Sequence, residues 1–312
     1  MSSDASTAQP KRGLAGLLFV LPVAGLLAAG AGGPAHSAAL LGPVVTFALP
    51  LVAMIAFWWE DWPGTLARGG WSGLSDTAIV VAGGLLLAAV GRAIGGTGAI
   101  ALAAGIFTAM LQLTLVCERW PLDGFGRIRS GIAALLLCWV AGVAGYLLAA
   151  RVLEEYGAWL TAVGVWQMIF YVALRGWPFT RIGARAVRLV SANAAVVACG
   201  WGTYEIGRHA GWAPGRITAV CGAGIAAVLV VSMLFEAWPA IRLGLLPGRG
   251  LALLITLLLT AVLSWTLPML ARRTGVPGTE VNGWVAHATL NALSLAVILH
   301  VAVWRRWPVR SG

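Results

Sequence analysis

"CERWPLDGFGRIRSG", residues 117–131, closes a long apolar run with an acid, an arginine, a tryptophan and a proline before the next run begins. Nearly the same ending occurs at "WWEDWPG" (58–64), "LRGWPF" (174–179), "FEAWPA" (235–240) and "WRRWPV" (304–309). The five prolines stand at 63, 121, 178, 239 and 308, separated by 58, 57, 61 and 69 residues, and each interval holds two apolar segments. Self-similarity at such a period marks one supersecondary unit copied several times. The unit read here is a helical hairpin. Because each copy holds an even number of segments, all five copies share one sense, as parallel rather than inverted repeats.

Composition decides the class. Of 312 residues, 60% are hydrophobic and 10% charged, with a mean hydropathy of +0.88, against about 25% charged in a soluble domain. Apolar runs of about 18 residues or more read as spanning helices, because lipid offers the backbone no hydrogen-bond partner. No strand-like alternation is present, so a barrel is excluded as the expectation. The reading is an all-α, polytopic integral membrane protein. Ten spans are expected, near 13–32, 39–59, 74–91, 97–117, 130–150, 157–175, 187–206, 216–236, 250–270 and 282–304. They group into hairpins over 13–63, 74–121, 130–178, 187–239 and 250–308 behind a polar cytoplasmic tail, 1–12. Lys11-Arg12 followed by an apolar run and "AHSA" (35–38) has the outline of a secretory signal, but the run is long for one and is read as a retained first helix.

With an N-terminus in the cytoplasm, fifteen of the 21 Lys and Arg fall on that side: Lys11 and Arg12, 68, 119, 127, 129, 175, 181, 185, 188, 242, 249, 305, 306 and 310. The other six are Arg92, Arg151, Arg208, Arg216, Arg272 and Arg273. The positive-inside rule then places both termini in the cytoplasm. One Lys against 20 Arg, with abundant Ala and Gly, points to a GC-rich bacterial genome and hence to the cytoplasmic (inner) membrane. The net charge of +10 does not indicate nucleic acid, since the arginines are scattered singly with no basic block. The four cysteines form no CxxC pair and read as small packing residues.

The recurring ending has a physical cause. Trp62, Trp120, Trp177, Trp238 and Trp307 are amphipathic anchors that settle at headgroup level. Proline lacks a backbone donor and disfavours α geometry in the residue before it, so the helix is expected to stop there, and proline also suits the start of a short helical turn such as "FTRIGARAVR" (179–188). Two places before each Trp stand Glu60, Glu118, Arg175, Glu236 and Arg305. Around a common axis these form a partly self-neutralising charged mouth; separately, they are helix-end charges reaching water.

Polar side chains at helical spacing mark further candidates for a pore or its mouth: Gln167, Tyr171 and Arg175 in the sixth span, Thr114 and Glu118 in the fourth, Ser232 and Glu236 in the eighth. In the tenth they are His287, Asn291 and Ser294, with Asn193 near the middle of the seventh. The alternative is interhelical hydrogen-bonding that only packs helices. Odd-numbered spans such as "VAGGLLLAAVG" (81–91) and "SANAAVVACGWG" (191–202) are rich in small residues, which predicts a tightly packed inner ring lining a pore. Pro22 and Pro268 are expected to kink the first and ninth spans. No HExxH, GxSxG, Walker or phosphate-loop motif occurs. The four histidines form no matched set of ligands, so no catalytic residue, cofactor or metal site is read.

Five tandem hairpins, ten spans, cytoplasmic termini and this chain length resemble the tellurite-resistance/dicarboxylate transporter and slow-anion-channel family. That resemblance implies quasi-fivefold symmetry around a central pore, odd helices innermost, and assembly as trimers. The parallel repeat and the small-residue odd spans lead to the expected function, a transporter or channel for a small solute or anion, more a conduit than an enzyme. The alternatives are a membrane anchor or scaffold subunit bound to a partner membrane protein, and an intramembrane enzyme or cofactor-binding protein.

Overall fold

The apolar runs bond their own backbones, and each is helical in the computed structural model, which describes residues 9–60, 62–67, 70–149 and 151–307. Residues 1–8 of the tail, Arg68, Pro308 and Arg310 lie outside the described residues. Ten long helices form among the described residues, and no strand does. They begin with α1 (Lys11–Ala29), α2 (Pro34–Ala53), α3 (Gly70–Gly95), α4 (Ala99–Leu111) and α5 (Arg127–Leu148). There follow α6 (Leu153–Met168), α7 (Arg185–His209), α8 (Pro214–Leu229) and α9 (Leu245–Arg273). The last, α10, starts at Val281–Ala286 and runs on through His287–Leu293 and Ser294–Ile298. Among the described residues eight stretches are long and apolar enough to cross a membrane, one being the 47 residues Gly70–Val116 that contain both α3 and α4. Helices α1 and α9 continue through Pro22 and Pro268.

Every even helix ends in the same way. It runs on directly into a π turn of five residues: Met54–Trp58, Gln112–Val116, Ile169–Ala173, Val230–Leu234 and Leu299–Val303. One residue later the chain turns left-handed, for two residues wherever both are described. The first are Glu60, Glu118, Arg175, Glu236 and Arg305, at φ between 48° and 54°. The described second ones are Arg119, Gly176, Ala237 and Arg306, at φ 63°, 78°, 59° and 62°. This reversal lets Arg119 N–H donate to Leu113 O (3.0 Å), Gly176 to Phe170 O (2.7 Å), Ala237 to Val231 O (2.8 Å) and Arg306 to His300 O (2.8 Å). Carbonyls that a helix end leaves without partners are thereby satisfied. The expectation that proline stops each helix is corrected: the left-handed pair has already turned the chain before the Trp. Pro63, Pro178 and Pro239 instead precede short 3₁₀ turns, Gly64–Leu66, Phe179–Arg181 and Ala240–Arg242. Arg185–Arg188, expected in the piece after Pro178, belong to the first turn of α7.

Left-handed backbone costs an L-residue about 1 kcal/mol that glycine does not incur. Ala237→Gly is therefore expected to stabilise the protein by about 1 kcal/mol, and Gly176→Ala to destabilise it, since a Cβ there would also meet Thr180 Cγ2 at 2.8 Å. Thermal unfolding in detergent reads both, and equal signs would contradict the assignment.

Packing reverses the expected layering. Helix α2 packs on α4, α4 on α6, α6 on α8, α8 on α10, and α10 returns to α2. Each odd helix lies on the even one before it: α3 on α2, α5 on α4, α7 on α6, α9 on α8, and α1 on α10. The most apolar window is 72% buried in both α8 and α10, but 28% in α1, 22% in α5 and 11% in α9. The even helices are inside, so a pore lined by odd helices is corrected. Small residues in the odd helices form one stripe that abuts an inner helix. A Cβ on Gly91 would lie 1.9 Å from Phe47 Cζ, and one on Gly200 2.8 Å from Val163 Cα. The other side of these helices is large and exposed, as at Leu85, Leu136, Val140, Leu257 and Leu258. A small-residue stripe marks the contacting face of a helix, not its depth in the bundle.

The corners and the starts of the odd helices interlock at one end. Arg119 donates to Phe57 O, Trp58 Nε1 to Ser130 Oγ (2.8 Å) and Trp304 Nε1 to Thr77 Oγ1 (3.0 Å). Arg249 lies over the Trp177 ring at 5.4 Å, and a Cβ on Gly13 would strike Phe235.

Candidate functional site

Between the ends of α4 and α6 a cleft of about 550 Å³ opens at the corner end, with Thr114, Leu115, Glu118, Arg119, Tyr171, Arg175, Gly176 and Thr180 in its wall. Helical spacing brings these together. Thr114 and Glu118 share one face of α4, and Tyr171 and Arg175 share one face of α6 with Gln167 a turn deeper. Thr114 Oγ1 is buried without a partner, and Tyr171 Oη lies 3.5 Å from Val116 O.

Beneath the cleft, Gln167 is fully buried. Its Nε2 donates to Gln112 Oε1 at 2.5 Å and to Thr108 O at 3.1 Å. Gln112 Nε2 donates to Asn193 Oδ1 at 2.6 Å. Asn193 Nδ2 donates to Leu189 O at 2.8 Å, and Cys117 Sγ lies 3.7 Å from Asn193. Three helices, α4, α6 and α7, thus meet through amides. Gln167 Oε1 remains without a partner. Sequence reasoning named Gln167 and Asn193 but missed Gln112, whose signal was a lone amide in an otherwise apolar run.

The charged mouth forms differently from the expectation. The three first-position glutamates each meet an arginine from outside that set. Glu60 faces Arg119 at 3.8 Å, Glu236 pairs with Arg306 at 2.9 Å, and Glu118 is gripped by Arg188 of α7 at 2.7 and 2.8 Å. Arg175 is exposed in the cleft wall, and Arg305 is half-buried. The Arg188 hydrogen bonds hold the Glu118 carboxyl below its ordinary value of 4.5. A depressed carboxylate contributes stability above its unfolded pKa and loses it as pH falls through the folded one. Glu118→Gln is accordingly expected to lower the melting temperature at neutral pH, and wild type and variant to converge once acidification passes below the ordinary carboxylate range. A pH series of melting curves checks this.

A second polar group joins α1, α2 and α10. Asn291 Nδ2 donates to Thr46 Oγ1 (2.9 Å) and lies 3.4 Å from His287 Nδ1, while His287 Nε2 meets Leu27 O at 3.0 Å. Ser294 is not part of it, because its hydroxyl donates to Thr289 O within α10. Of the anchors, Trp120 and Trp307 are exposed and Trp62, Trp177 and Trp238 half-buried. Among the described residues no group of three or more His, Cys, Asp or Glu is placed to hold a metal ion. Comparison of the chain with family models, curated proteins and solved structures gives no match.

Proposed function

We propose that the chain is a transporter or channel for a small polar solute, with the α4–α6 cleft as its inner mouth and the Gln112–Gln167–Asn193 amides as the start of its path. The observation that carries this reading is Gln167 Oε1, a fully buried acceptor with no partner, lying under an open cleft in an apolar bundle. Polar groups in lipid-embedded helices that lack protein partners mark solute or water paths. The charges at the mouth are largely spoken for by Arg188 and by Phe57 O, so uncharged donors and acceptors dominate the floor. The anion class, drawn by Arg119 and Arg175, is the rival substrate.

The architecture we infer is ten crossings in five parallel hairpins of quasi-fivefold arrangement. Three features support it: the closed order of even-helix contacts, the five like corners, and the reversal between α3 and α4 at Gly96, φ 53°. α7 falls outside the eight apolar stretches because it carries Arg, Asn and Glu, yet its 25 residues span about 37 Å at 1.5 Å each, enough to cross. The corner end, which carries thirteen of the basic residues among those described, is assigned to the cytoplasmic side of a bacterial inner membrane. In proteoliposomes, a screen of small amines, amides, amino acids and inorganic anions is expected to find at least one saturable flux absent from protein-free vesicles. No flux for any of them, together with a stoichiometric partner whose removal unfolds the chain, would overturn the reading in favour of a scaffold.

A further inference from the structure

The corners show what belongs in the cleft. At two junctions, the second left-handed residue of one corner is an arginine that locks onto the preceding corner. Arg119 donates to Phe57 O and faces Glu60. Arg306 donates to Met233 O (2.7 Å) and Leu234 O (3.2 Å) and pairs with Glu236 (2.9 Å). Phe57 and Met233 occupy the same place, fourth in the π turn. Each latch therefore has a donor half, a guanidinium, and an acceptor half, a corner glutamate with a carbonyl at the negative end of a helix.

At the junction of the second and third corners, the acceptor half is kept and the donor half is missing. Glu118 and Leu115 stand where Glu236 and Met233 do, but the residue equivalent to Arg306 is Gly176. Leu115, Glu118 and Gly176 all line the cleft, with Arg119 and Arg175 beside them, so it opens where the absent side chain would reach. At the next junction Ala237 faces a corner that carries Arg175 in place of an acid, so there no acceptor half is left unfilled. In the cleft wall, Thr114 Oγ1 is buried without a partner. Arg188 approaches Glu118 from α7 through Nε and Nη2, and a carboxylate has about four lone-pair sites, so a second donor can share it.

We propose that this cleft binds the guanidinium or amidinium group of a small solute, which takes the place that Arg119 and Arg306 fill elsewhere in the molecule. The inference rests on the cleft being the solute site, and its test reads binding without flux. The probe is methylguanidinium, added to the purified full chain in detergent and followed by calorimetry and thermal shift. Wild type is expected to bind it saturably and in preference to tetramethylammonium. Gly176→Arg, which supplies the missing latch internally, and Glu118→Gln, which removes the carboxylate, are each expected to weaken binding by about tenfold to a hundredfold. Ala237→Arg, with Arg175 opposite, is expected to leave binding unchanged. Binding no tighter than that of tetramethylammonium would overturn the proposal, showing that Arg188 alone completes the latch. So would methylguanidinium affinity retained in both Gly176→Arg and Glu118→Gln, or saturable sulfate binding in place of methylguanidinium. Intact binding without any flux would instead sink the transport reading and leave this one standing.

Discussion

Gly142→Leu is expected to destabilise the protein by about 3 kcal/mol, the upper end of overpacking penalties. A Cβ at Gly142 would lie 2.4 Å from Ile106 Cγ1, 2.9 Å from Ile106 N and 3.1 Å from Ile106 Cα. Two of those atoms are backbone, so no rotamer change relieves the clash and α4 and α5 must separate. The partner surface is equally tight: a Cβ on Gly105 would lie 3.4 Å from Gly142 Cα. Gly202→Leu provides the control. A Cβ there meets nothing within 4 Å, and replacing glycine in a helix interior gains up to about 1 kcal/mol. Thermal or denaturant unfolding in detergent should rank the two variants on opposite sides of wild type. A Gly142→Leu protein as stable as Gly202→Leu would mean that α5 does not rest on α4.

Gln167→Leu is expected to cut solute flux by about tenfold to a hundredfold, the effect of removing one or two well-placed hydrogen bonds from a barrier, while stability changes by no more than about 1 kcal/mol. The asymmetry follows from the geometry. Leucine removes the donor to Gln112 and Thr108, but it also removes the unpartnered Oε1, so the losses to the fold offset in part. A passing solute gets no such compensation, because it loses the first polar group beneath the cleft. Unchanged flux would return the three amides to the role of packing contacts between helices.

The Trp-Pro corners made much of the fold legible before any coordinates. They are read from identity alone: an aromatic anchor, a helix terminator and a charge at fixed offsets. The structure gives the charge an added role, since Glu60, Glu118, Arg175, Glu236 and Arg305 are the first left-handed residues of each corner. Nothing in their side chains signals that conformation. Gly176 does, but it is one glycine among 41. Layering was misread because small-residue content reports how closely two backbones approach and is silent on which helix is central. The even helices, which carry the large core residues Phe47, Met54, Ile106, Met110 and Leu229, were the interior. Tyr171 and Arg175 share the cleft wall, while Gln167 is outside its lining and bonds Gln112 and Thr108. Gln112 did not stand out because its partners are 55 and 81 residues away, a separation that no local pattern reveals.

Cysteine labelling tests the central claim most directly. In a chain with Cys117, Cys138, Cys199 and Cys221 replaced, single cysteines at Thr65, Gly124, Gly183 and Gly244, each just beyond a corner, are exposed to a membrane-impermeant maleimide in sealed inverted and right-side-out vesicles. All four are expected to react in the inverted vesicles and to be protected in the others. Any two reacting from opposite faces would contradict the five-hairpin arrangement, and with it the shared mouth on which the functional reading stands.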